Sequence, residues 1–284
     1  MNICVVGLGL LGGSFSLAIQ KVHKRARIIG VDRNTAHANK ALELGIAHEI
    51  ESFETGVAKA DLVILATPMN VMVEQIQPAL DHIQDRAIVV DLGSTKKDIC
   101  EACVSHPKRG RYVALHPIAG TENSGPEAAF GELMEGKMMI LCDTEKCDAD
   151  ALQYIELMMQ ALQMNISYMN STEHDLHIAY VSHLSHISSF ALGLTVLEKE
   201  KNEKNIFAMA GSGFSSTVRI AKSSPEMWAP IFEQNAGNIS EALEAYIQKL
   251  KEFKDIIDER AKEKSLKEMR KANEIRRVLQ GIPQ

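Results

Sequence analysis

The segment Gly7-Leu8-Gly9-Leu10-Leu11-Gly12 constrains this chain more than any other, because it follows the apolar run Ile3 to Val6 directly and opens a helical pattern. A GxGxxG loop in that context belongs to a βαβ unit whose helix N-terminus faces a dinucleotide pyrophosphate. The spacing has a physical reason. Gly7 permits the tight turn, Gly9 lets backbone amides approach the phosphates, and Gly12 allows close packing of helix on sheet. A side chain at Gly9 would occupy phosphate space. Leu10 and Leu11 begin the helix, so Gly7, Gly9, Leu10, Leu11 and Gly12 are the candidate phosphate-facing residues. Asp32 ends the next apolar run, Ile28 to Asp32, 20 residues beyond Gly12. A carboxylate there accepts hydrogen bonds from the adenosine ribose hydroxyls and repels a 2'-phosphate, which favours NAD over NADP. Arg33, beside it, is a second candidate contact that softens the preference.

Short apolar runs continue through the first half: Leu62 to Ala66, Ala87 to Asp91, Tyr112 to Leu115 and Lys137 to Cys142. The intervals are long enough for crossover helices, so this half is predicted to be an α/β Rossmann-type domain with a mostly parallel, doubly wound sheet. From about Ser171 the strand signal gives way to helical stretches, starting at Ser171-Thr172-Glu173, where a hydroxyl residue followed by acid resembles a helix start. The expected division is a dinucleotide-binding domain over 1–169 and an all-α substrate-binding and dimerisation domain over 170–284, joined by a turn near Met169 and Asn170. Residues 250–279 are dense in charge, with apolar residues three and four apart, and read as solvated amphipathic helices. Two domains suit a length of 284 residues.

Composition narrows the partners. A net charge of -6 without a long basic stripe argues against nucleic acid. No apolar run reaches the ~18 residues of a membrane helix. The N-terminus enters a strand without a charged leader, and five scattered cysteines make no disulfide framework, so a reducing cytoplasm is the expected location. Cys100 and Cys103 have CxxC spacing, but no second ligand pair follows, and no metal is expected. They read as two small residues on a helix.

Three more strand ends carry polar or rigid residues at the same carboxyl edge of the sheet. Ala66-Thr67-Pro68 is expected to line the cofactor crevice through Thr67 and Pro68. Asp91-Leu92-Gly93-Ser94-Thr95-Lys96 and Leu115-His116-Pro117-Ile118-Ala119-Gly120-Thr121-Glu122 are expected to face the nicotinamide end. His116, held by the proline after it, is a reasonable general base because its reference pKa lies near neutrality.

With these motifs in view, the chain resembles the prephenate dehydrogenase family over both halves: GLGLLGGS, DLGSTK, HPIAGTE, SHLSH (Ser182 to His186), TVRIA (Thr217 to Ala221) and Pro225-Glu226-Met227-Trp228. HPIAGTE is the most specific of these. The resemblance implies NAD-dependent oxidative decarboxylation of prephenate to 4-hydroxyphenylpyruvate, a step toward tyrosine. His116 would accept the C4 hydroxyl proton, and Ser94 would hydrogen-bond and orient both that histidine and the hydroxyl. Arg219 would grip a substrate carboxylate with its planar fork. The resemblance further implies substrate contacts at His186, Thr121, Glu122 and Trp228. On an uninterrupted helix, His183 and His186 lie about 60° apart while His174 and His177 fall on roughly the opposite side.

Two departures stand out. Ser185 occupies a place where the family commonly has proline, and Ser215 and Ser216 replace a basic residue and an Asp before the arginine motif, leaving Arg219 as the cation to carry over. The alternatives are an arogenate dehydrogenase, which sequence hardly separates from the first reading, a hydroxy-acid-type dehydrogenase with a catalytic lysine, and an inactive NAD-binding sensor. Inhibition by tyrosine, in the absence of an appended regulatory module, would be competitive. By family analogy a homodimer is expected to share Met209, Phe214, Ile231, Phe232 and Leu243 across a two-fold interface.

Overall fold

The computed structural model describes residues 1–201 and 205–280; residues 202–204 and 281–284 of the expected second domain lie outside them. In chain order, the first half runs β1 (Asn2–Val6), α1 (Leu10–Val22), β2 (Arg27–Val31), α2 (Thr35–Glu43), β3 (Glu49–Ile50), α3 (Phe53–Lys59), β4 (Leu62–Leu65) and α4 (Met69–His82). It continues with β5 (Ile88–Asp91), α5 (Lys97–Ala102), β6 (Tyr112–Pro117), β7 (Met138–Cys142), α6 (Ala149–Ala161) and β8 (Asn165–Met169). The eight strands form one sheet in the order β3-β2-β1-β4-β5-β6-β7-β8, parallel except where β7 runs against β6. The strand order reverses between β1 and β4, and a doubly wound sheet opens its ligand crevice at the carboxyl ends beside such a reversal.

The six strands expected from the apolar runs are all present, and β3 and β8 are additional. β3 has only two residues, and β8 reads Asn-Ile-Ser-Tyr-Met, an edge strand with no fully buried residue, so neither presents the continuous apolar run that marks an interior parallel strand. Met169 therefore ends a strand rather than standing in the expected turn. Along β1, Ile3 and Val5 enter one core with Phe15 and Ile19 of α1. Cys4 and Val6 enter the other, with Met72, Ile76 and Leu80 of α4. This is period-two alternation with both faces covered.

The second half contains α7 (Ser171–Ile178), a π-helical turn (Ala179–His183), α8 (Leu184–Glu200), α9 (Ser212–Val218), α10 (Pro225–Gln234), α11 (Ala236–Asp258), α12 (Lys262–Ala272) and α13 (Ile275–Leu279). The cap of α7 is Asn170, whose side chain accepts from the Glu173 amide, one residue before the expected Ser171. Asp143, at the end of β7, accepts from the Ser171 amide at 2.7 Å and anchors the start of that helix to the sheet.

The expected subunit-facing set needs correction. Ile231 of α10 is buried with Trp228 in the sheet core on the α4 side, with Phe232 packed partly against it, because the helical half has to dock somewhere apolar, so Ile231 is not free for a second copy. Met209, by contrast, is 88% exposed. The CxxC pair is split between α5 and the residue after it; both thiols are buried, and burial pushes Cys103 up to about 11, so it is no thiolate at neutral pH.

Candidate active site

At the crevice, Gly7 has φ +95° and its missing Cβ would lie 2.5 Å from the Ala66 carbonyl oxygen, so only glycine lets the loops after β1 and β4 touch. A Cβ at Gly12 would overlap the Gly7 carbonyl at 2.0 Å, which explains how α1 starts so close to the turn. Gly9 differs. It caps α1 without a side-chain bond, and a Cβ there meets nothing within 4 Å, so the helix amides open onto free space of the kind a pyrophosphate fills. Leu10 and Leu11 open α1 beside that space, both partly buried against the core.

Asp32 spans this cradle. One carboxylate oxygen accepts from the Leu8 amide at 2.9 Å and the other from Asn34 at 2.8 Å. An ionised carboxylate offers about four lone-pair sites, which leaves acceptors for ribose hydroxyls. Arg33 is exposed beside it. After β4, the Thr67 hydroxyl donates to Gln75 and Pro68 caps α4, so the Ala66-Thr67-Pro68 turn is held rigid against the glycine loop.

The DLGSTK segment divides. Asp91 and Lys96 are wholly buried and paired with each other. Lys96 Nζ also donates to the Leu115 carbonyl at 2.7 Å, while Asp91 accepts from Tyr112 Oη at 2.8 Å. The expectation that this whole cluster faces the nicotinamide end is corrected: a lysine and an aspartate turned inward lash β5 to β6. Ser94 remains partly exposed and makes no hydrogen bond to His116 among the described residues. The expected orienting bond from Ser94 is thus absent, because the His116 ring nitrogen that needs holding already faces α7.

There, His116 Nδ1 lies 2.7 Å from His174 Nε2, the rings meeting edge to face. His174 Nδ1 lies 2.7 Å from Asp175, whose two carboxylate oxygens also accept from the Lys96 and Lys97 amides at the start of α5. Burial holds the His116 imidazole well below the usual histidine range, with His174 and Lys96 adding to the effect. His116 is therefore neutral at neutral pH, as a base must be.

A π-helical turn, Ala179–His183, separates α7 from α8, so the spacing counted on an unbroken helix does not carry from His174 to His183 and His186. Asn235 Nδ2 bridges the Asp175 carbonyl at 2.7 Å and His183 Nδ1 at 3.1 Å. His183 packs edge-on to Trp228, and His186 stacks on the same indole with centroids 3.5 Å apart. Burial lowers His183 to about 4. Its Nε2 and the Trp228 Nε1 are buried without a hydrogen-bond partner among the described residues. Arg219 Nη1 donates to Glu122 at 2.8 Å, bringing the arginine motif of the helical half to the loop after β6. Thr121 shapes that loop by accepting from the Asn123 amide. Ser215 and Ser216 are exposed on α9, about a turn before Arg219.

Two family models cover this arrangement: prephenate dehydrogenase, nucleotide-binding domain, over residues 15–168, and prephenate dehydrogenase, dimerization domain, over residues 170–271. The chain belongs to the prephenate dehydrogenase family. It is similar to the prephenate dehydrogenase of Bacillus subtilis, with 32% identity over 99% of this chain and 76% of that protein. Its fold matches the crystal structure of prephenate dehydrogenase from Aquifex aeolicus in complex with hydroxyphenyl propionate and NAD+ at TM-score 0.90, with 32% identity and 98% of both chains covered. Synechocystis arogenate dehydrogenase matches at TM-score 0.77 and 26% identity, over 98% of this chain and 100% of that one.

The sequence singles out the glycine loop, Asp32, His116, His186, Trp228 and Arg219 as candidates, but not His174, Asp175 or Asn235, which the structure joins to them. The adjacent His174-Asp175 pair in the first turns of a helix was the available signal.

Proposed function

We propose that the chain is an NAD-dependent prephenate dehydrogenase, converting prephenate to 4-hydroxyphenylpyruvate with loss of carbon dioxide. The observation that carries this reading is His116, buried, neutral and fixed at the carboxyl end of β6, in a chain whose glycine loop and Asp32 fit a dinucleotide. Bound NAD supplies the acceptor for the C4 hydride. His116 Nε2 takes the C4 hydroxyl proton as the ring carboxylate leaves as carbon dioxide, and the Ser94 hydroxyl donates to the C4 oxygen. Arg219 uses one nitrogen on Glu122, and the rest of its fork is available to a substrate carboxylate. Thr121 and Glu122 border that position, and His186 with Trp228 forms its aromatic wall.

The division of labour places cofactor binding in 1–169, and substrate binding and dimerisation in 170–284. The homodimer is supported by the match to a dimerization domain and by the exposed apolar face of α8, where Leu194 and Leu197 are more than half exposed. No described helix is long and apolar enough to cross a membrane, in keeping with a cytoplasmic enzyme.

The deciding experiment is an activity matrix of prephenate and arogenate against NAD and NADP. Turnover is expected to be highest with prephenate and NAD. Preference for arogenate would move the chain to the sister activity, preference for NADP would shift the selecting role from Asp32 to Arg33, and no NADH with either substrate would refute the reading.

A further inference from the structure

We propose that His174 is a positioning residue that fixes the tautomer of His116, leaving His116 Nε2 as the bare base atom; this rests on the reading of His116 as the base. The hydrogens on the pair follow from what each nitrogen faces. Asp175 is pinned by the Lys96 and Lys97 amides at 2.7 and 2.9 Å and through its own carbonyl by Asn235. A carboxylate only accepts, so the 2.7 Å contact to His174 Nδ1 requires the hydrogen to sit on that nitrogen. His174 is neutral, since burial lowers its pKa, and a neutral imidazole has one N–H. Its Nε2 is then a lone pair. At 2.7 Å from that lone pair, His116 Nδ1 must carry its own hydrogen, which leaves Nε2 unprotonated. His116 Nε2 makes no protein hydrogen bond among the described residues. When it gains the substrate proton, the Nδ1–H bond to His174 persists, so the base changes charge without changing orientation.

The charges around the pair come from both halves. Lys96 and Asp91 face it from the sheet, and Asp175 and His183 from the helical domain. A packing role for His174 would predict only lost stability on substitution. A tautomer role predicts something that packing does not move.

The test is histidine 15N NMR on the full chain at neutral pH, with His116 assigned by its loss in His116→Asn, beside steady-state kinetics. Wild type is expected to show His116 protonated on Nδ1 and bare on Nε2. His174→Phe should give mixed tautomers, a fall in kcat of about tenfold or more with NAD affinity unchanged, and an acid limb of kcat/KM displaced to lower pH, because the protonated His116 loses the acceptor for its Nδ1–H. His174→Gln, whose carbonyl can accept from His116 Nδ1, should restore a single tautomer and part of kcat. A wild-type His116 carrying its proton on Nε2 overturns the proposal, as does a His174→Phe enzyme with the wild-type tautomer and pH profile. If His174→Phe does not fold, the wild-type spectrum and the Gln variant still decide. Failure of wild type to oxidise prephenate would refute the functional reading but leave the tautomer assignment standing.

Discussion

The two halves of the molecule bury apolar side chains to very different extents. Through residue 169 both faces of the sheet are packed, and residues such as Phe15, Ile64 and Leu115 are wholly inaccessible. Beyond residue 170, among the described residues, only Ile178, Ala179, Trp228, Ile231, Ile239 and Ala242 are buried hydrophobics. Trp228 and Ile231 join the core of the first half, while Leu194 at 59%, Leu197 at 52% and Ile257 at 67% face outward. The first half carries its own core, whereas the second borrows one and keeps a surplus of exposed apolar surface. The proposed catalytic seam, His116 with His174, lies where the two meet.

The sharpest test of that seam is His116→Asn. Turnover should fall roughly 10² to 10⁴-fold in steady-state kinetics with NAD affinity nearly unchanged. In wild type the base acts while neutral, so kcat/KM is full at high pH and falls as pH drops through the His116 pKa. Burial depresses that pKa, so the midpoint should lie below about 6.5, and a midpoint above it would contradict the buried, uncharged site.

Lys96→Met probes the self-sufficient half. It leaves Asp91 buried without its cation and should cost about 3 to 5 kcal/mol in urea unfolding, since breaking one member of a buried pair strands the other charge. An unchanged denaturation midpoint would show that the pair does not hold β5 and β6 together. Leu194→Glu with Leu197→Glu probes the half with the exposed apolar surface. The double variant should run as a monomer in analytical ultracentrifugation while keeping its NAD affinity, and a persistent dimer would place the subunit contact elsewhere. The smallest effect is expected at Arg219→Lys, which keeps the charge but loses the fork. The Michaelis constant for prephenate should rise about tenfold with turnover less affected, because charged hydrogen bonds are worth ~1.5 to 3 kcal/mol. An unchanged constant would mean that Arg219 does no more than pair with Glu122.

Much of the nucleotide half was legible in the sequence because its signals are local. Gly7 turns the chain at positive φ and Gly12 lies against the Gly7 carbonyl, both within one turn, and the apolar runs of interior strands announce a parallel sheet before any contact is known. β3 and β8 were not legible, since a two-residue bridge and a half-exposed edge carry no apolar run. Ser94 and Lys96 sit two residues apart in one motif, yet one stays at the edge while the other goes inside. Nothing in their local pattern distinguishes the two directions, which depend on where Asp91 and the Leu115 carbonyl await a donor.

Residue order alone settles the family, the fold class and the existence of a histidine at a strand end, because motif spacing and hydrophobic period are properties of neighbours along the chain. The partner of that histidine is decided only in three dimensions. His116 and His174 are 58 residues apart, one on a strand and the other on a helix that no sequence period relates to it. Asn170 capping α7 and Asp175 seated on the amides at the start of α5 set the rotation of that helix, and with it the direction of His174. The reason is geometric: a rotation of one residue is invisible in composition and periodicity but moves a ring nitrogen by several ångströms, far more than a hydrogen bond tolerates.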